Sequence, residues 1–85
     1  MDKNVLSNEI AHFCCYFNLL ENPVDNKQIK ENIKKQLDDV VFVENLYNTI
    51  FKKAKQYKIL KRARIKALLI ELEKIRIDLE NKEFD

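Results

Sequence analysis

Apolar residues recur at intervals of three and four through most of the chain, the spacing that lines one face of an α-helix. Leu6, Ile10, Phe13, Phe17 and Leu20, with Cys14 beside them, predict a first helix from about Val5 to Glu21. Asn22 and Pro23 end it, because proline disfavours helical geometry in the residue before it. A second start follows at once. Asp25 can cap a helix, Gln28 three residues on can reach back to the cap's amide, and Val24 can staple onto Ile29. Ile29, Ile33, Leu37 and Val40 form the stripe of this second helix.

Asp38 and Asp39 offer the next cap. Val43, Leu46, Tyr47, Ile50, Phe51, Ala54 and Tyr57 then repeat at helical spacing, while Glu44, Asn45, Asn48, Lys52, Lys53 and Lys55 make the opposite, solvated face. A last helix spans about Lys61 to Asn81 and carries two apolar stripes. One is Ile65, Leu68, Leu69, Leu72, Ile75 and Leu79; the other is Ala63, Ala67, Ile70 and Ile77. Two apolar faces on one helix imply burial from two sides. The main stripe stays in phase with that of the third helix, so one long helix from Val40 to Lys82 is compatible with the pattern. Lys58 and Lys61 interrupt it, and a helical hairpin bending between Gln56 and Leu60 is the preferred reading.

Composition narrows the class. The chain of 85 residues contains no glycine and one proline, so it lacks the residues that tight hairpin turns between strands require. The expectation is an all-α fold: a small antiparallel bundle of about four helices forming a single domain over residues 1–85, with the last two as a hairpin or one long helix. A core of this size is marginal alone, and self-association is a common source of added stability. No apolar run approaches the length of a membrane span, and the N-terminus lacks the features of a secretory leader, which predicts a cytoplasmic protein. Cys14 and Cys15 are adjacent, a poor geometry for bridging, and are read as reduced thiols.

Candidate chemistry is sparse. His12 and Cys15 fall one turn apart with Cys14 alongside, but a structural zinc site takes four ligands and only these three soft ones exist. Ser7 and His12 are the only serine and histidine, with nothing resembling a nucleophile elbow around them. Without glycine there is no phosphate-cradling loop or dinucleotide fingerprint. The expectation is a protein with no catalytic, cofactor-binding or metal-binding residues.

What remains is an anomaly of charge. From Lys52 to Lys66 the chain holds eight bases and no acid, although its net charge is only +2. Helix starts favour acids and helix ends favour bases. Lys52, Lys53 and Lys55 obey this at the end of the third helix, but the last helix reverses it. Residues 58–70 hold five bases and no acid, whereas residues 71–85 hold six acids against three bases.

A solvated surface is the plain explanation of the run. Two others give it work. The bases can bind an external anion such as nucleic acid phosphate or an acidic protein surface, with Lys55, Lys58, Lys61, Arg62, Arg64 and Lys66 as the contacts. Alternatively, two copies of the last helix can pair antiparallel as a homodimer, basic half against acidic half, across a seam of Leu68, Leu72, Ile75 and Leu79.

A helix ending near Tyr57 and followed by a lysine-rich turn, in a chain of about four helices, resembles the small cytosolic immunity proteins that protect bacteria from their own bacteriocins. That resemblance implies an antiparallel four-helix bundle that binds another protein near the membrane. The leading expectation from the residues themselves is a small regulatory or accessory protein that contacts nucleic acid or an acidic protein partner through the basic hairpin tip.

Overall fold

The computed structural model describes residues 2–17 and 26–83. Among them lie four α-helices and no strand: α1 (Lys3–Tyr16), α2 (Asn26–Gln36), α3 (Val40–Gln56) and α4 (Ala63–Glu83). The fold is all-α. Contacts group the chain into two compact units, Met1–Gln36 and Leu37–Asp85, with α1 packed on α2 in the first and α3 packed on α4 in the second. The expected break at Asn22 and Pro23, the Asp25 cap, the Val24 staple and Leu20 lie outside the described residues.

In the first unit, α1 begins earlier than its apolar pattern does. The Asp2 carboxylate accepts the Val5 amide at 2.8 Å, satisfying one of the amides that a helix start leaves without a partner. Leu6, Ile10, Ala11, Phe13 and Cys14 of α1 are buried, as are Ile29 and Ile33 of α2. Ser7 is buried with them, and its hydroxyl donates to the Asn4 carbonyl at 3.0 Å, which removes the cost of an unpaired polar group. The Phe13 and Phe17 rings meet at 4.6 Å between centroids in a tilted arrangement, extending the aromatic face expected here.

The second unit opens on Asp39, whose Oδ1 accepts the amides of Val41 at 2.9 Å and Phe42 at 3.4 Å. Of the two adjacent acids, Asp39 occupies the N-cap position. Val43, Ile50 and Ala54 are buried on α3, and Ile65, Leu68, Leu69 and Leu72 on α4. Phe51 and Tyr57 belong to the same sequence stripe yet are 42% and 54% exposed. Phe51 sits at the edge of the apolar arc, and Tyr57 is the C-cap, where the helix has already ended.

The link between α3 and α4 decides the architecture of this unit. The Ile59 amide donates to the Ala54 carbonyl at 2.9 Å and the Lys58 amide to the Lys55 carbonyl at 3.2 Å. Together these are the paired bonds of a Schellman C-cap, which needs a left-handed residue between them. Lys58 is that residue, at φ 59°. The chain therefore reverses without glycine, and the one-long-helix alternative is excluded. Tyr47 in the middle of α3 hydrogen-bonds Glu73 in the middle of α4, while the turn joins the end of one helix to the start of the other. The two helices must run antiparallel.

A lysine held at positive φ carries a steric cost that glycine does not. Lys58→Gly is expected to raise the unfolding free energy by about 0.5–1 kcal/mol, net of the greater freedom of glycine in the unfolded chain. Denaturant melts of the two proteins check this, and a glycine variant less stable than the parent would rule the strain out.

Candidate anion-binding surface

The turn gathers the bases that the sequence singled out. Lys55 lies in the last turn of α3, Lys58 at the left-handed position, Lys61 and Arg62 in the link, and Arg64 and Lys66 in the first turns of α4. All six side chains are exposed, as is Lys52, and Lys53 is half-buried. They occupy one end of the α3–α4 hairpin because the link closes there. Among the described residues, none forms an ion pair with Lys55, Lys58, Lys61, Arg62 or Lys66.

Backbone and side chains add rather than cancel at the start of α4. The Arg62 carbonyl accepts the Lys66 amide at 3.0 Å, which makes Arg62 the N-cap residue. Arginine has no acceptor to offer the amides of the first turn, and no acid stands in that turn. The partial positive charge of the helix start is thus reinforced by Arg62, Arg64 and Lys66. At the end of α3 the sign is the favourable one, with Lys53 and Lys55 beside the last carbonyls.

The four residues expected to form a dimer seam have different fates. Leu68 and Leu72 lie in the core of this chain, at 3% and 0% exposure. Ile75 and Leu79 are half-buried. The packing of α4 on α3 takes up the leucine-rich stripe, because that is the larger apolar face available to close the hairpin. The second stripe is left outside, with Ile70 at 55% and Ile77 at 45% exposure.

A polar cluster between the two helices has no counterpart in the sequence reading. Glu73 accepts from Tyr47, and its Oε1 stands 2.8 Å from Arg76 Nη2. Glu44 and Asn48 complete a groove over this cluster. Burial pushes the Tyr47 phenol above its ordinary value, the Glu73 charge and hydrogen bond push it further, and Arg76 acts in the opposite sense. A phenol raised on folding contributes stability that is present below its unfolded value near 10 and lost as pH rises through the folded value. Tyr47→Phe is accordingly expected to flatten the fall in melting temperature above about pH 10 and to cost on the order of 0.5–1 kcal/mol at neutral pH through the lost hydrogen bond. An unchanged alkaline profile would show that the phenol is not the titrating group.

In α1, burial raises the Cys14 thiol and the neighbouring Cys15 adds to the effect, while Cys15 and His12 are exposed. Among the described residues no group of three or more His, Cys, Asp or Glu side chains is placed to hold a metal ion. No helix among them is long and apolar enough to cross a membrane. No protein-family model, curated protein or solved structure matches this chain.

Proposed function

We propose that this is a non-enzymatic binding protein, acting as a homodimer, that docks the α3–α4 turn on the phosphate backbone of nucleic acid. The observation that supports this reading is the turn itself: six exposed bases and no acid at one end of a packed hairpin. A run of this kind on a mobile tail would cost ordering entropy on binding, whereas here the flanking helices hold it.

The chemistry favours backbone contact over base reading. Four of the six bases are lysines, point charges that neutralise phosphate without the planar fork by which arginine reads guanine. Tyr57 is exposed among them and offers one ring for stacking, too little for a single-strand platform. The expected behaviour is binding to many sequences with steep dependence on salt.

Binding of labelled mixed-sequence duplex DNA and single-stranded RNA across about 50–200 mM salt tests it. A site with about six phosphate contacts should lose on the order of a thousandfold in affinity over that range. No binding at the lowest salt would end the nucleic acid reading and leave an acidic protein surface as the partner to seek.

A further inference from the structure

The outward face of α4 presents Ala63, Ala67, Ile70, Lys74 and Ile77 along one line, and both isoleucines are about half exposed. We propose that this face is where a second copy of the chain docks, with the two α4 helices antiparallel about a two-fold axis at Ile70. Pairing of this kind is isologous, so each residue on one side of the axis must suit its mirror on the other.

The sequence of α4 meets that requirement in both size and charge. Symmetry about Ile70 sets Ala63 of one copy against Ile77 of the other, small against large, and brings Ala67 within one position of level with Lys74, whose aliphatic stem can cover it. Along the borders, within two positions of the mirror, Lys66 comes beside Glu73 and Arg64 beside Asp78. Glu73 is already oriented by Tyr47 and Arg76, so a further cation would meet a fixed carboxylate. Beside Ile70 runs a groove lined by Tyr47, Leu69, Glu73 and Lys74, in which an opposing side chain can seat.

The same arrangement accounts for the reversed charges of α4. Within one chain, bases at the start of the helix and acids in its second half oppose the helix dipole. In an antiparallel pair each base-rich half lies on the acid-rich half of its neighbour, and the two helix dipoles oppose each other favourably. Arg64 and Lys66 border both this face and the basic turn, leaving Lys55, Lys58, Lys61 and Arg62 as the outer phosphate contacts of a paired molecule. The inference gives a location to the homodimer of the functional reading and is independent of its nucleic acid part.

Two helices about 30 Å long lie at or below the lower end of stable interfaces, roughly 1,200 Å², so the pairing is expected in the micromolar range. Sedimentation velocity from about 5 to 200 µM should therefore show the mass rising from 10.2 kDa toward twice that value in the parent. Ile70→Glu, which puts two carboxylates at the axis, should remain a monomer throughout while keeping its helical circular dichroism. In a Cys15→Ser background, Ile70→Cys should cross-link to a disulfide dimer under mild oxidation. A parent that stays monomeric at the highest concentration, or an Ile70→Glu variant that associates like the parent, would overturn the proposal. Nucleic acid binding by the Ile70→Glu monomer is scored separately. Its loss or retention bears on the phosphate reading alone.

Discussion

Replacing Leu72 by alanine should lower the unfolding free energy of the α3–α4 unit by about 3–4 kcal/mol, while replacing Ile70 should change it by less than about 0.5 kcal/mol. The two residues stand two positions apart on one helix, and both are large aliphatics. Leu72 is fully enclosed, so truncation removes its transfer energy and leaves a cavity that the tightly spaced helices cannot close. Ile70 is 55% exposed and leaves no hole. For a chain whose total stability should lie near 5–10 kcal/mol, the first change is a large fraction of the whole. Urea titrations followed by circular dichroism at sub-micromolar concentration, where any pair has dissociated, compare the variants. Equal losses at the two positions would contradict the assignment of the inner and outer faces of α4.

The basic turn should dominate binding as strongly as Leu72 dominates folding. Converting Lys55, Lys58, Lys61 and Arg62 together to glutamine removes four charges at exposed positions. Counterion release predicts that the slope of log affinity against log salt falls by about 3.5, and that binding to duplex DNA near 50 mM salt weakens by on the order of a thousandfold or more. The control takes the same number of bases from α2, with Lys27, Lys30, Lys34 and Lys35 changed to glutamine. It lowers the net charge equally and should leave most of the slope in place. If the two variants lose affinity alike, the chain binds through overall charge and the turn has no special part.

Both predictions depend on features that differ in how plainly the sequence displays them. The periodic stripes of α2, α3 and α4 are local facts, and Ile29, Ile33, Leu37, Val43, Ile50 and Leu72 are buried as their spacing implies. The Asp39 cap is equally local. The start of α1 is not, since Asp2 caps a turn that precedes the first apolar repeat. The turn after α3 falls where the broken stripe places it, between Gln56 and Leu60, but its left-handed residue, Lys58, is revealed only by the backbone. Periodicity also cannot rank the two stripes of α4. It identifies both as apolar, but which one closes on α3 is settled by the volume of the side chains and the hairpin geometry. Leu68 and Leu72 consequently stand inside the chain, and the face free for a second copy is the one with fewer large residues. The Tyr47, Glu73 and Arg76 cluster joins residues from two helices, and only the Glu73 and Arg76 spacing is visible in the primary structure.

Lys58 also sets two physical demands on the turn against each other. Backbone sterics favour a residue without a side chain there, whereas the proposed phosphate contact calls for a cation. Lys58→Gly should move the two properties in opposite directions, melting later and holding phosphate less tightly. The chain contains no glycine, and at its single left-handed position among the described residues it places a cation.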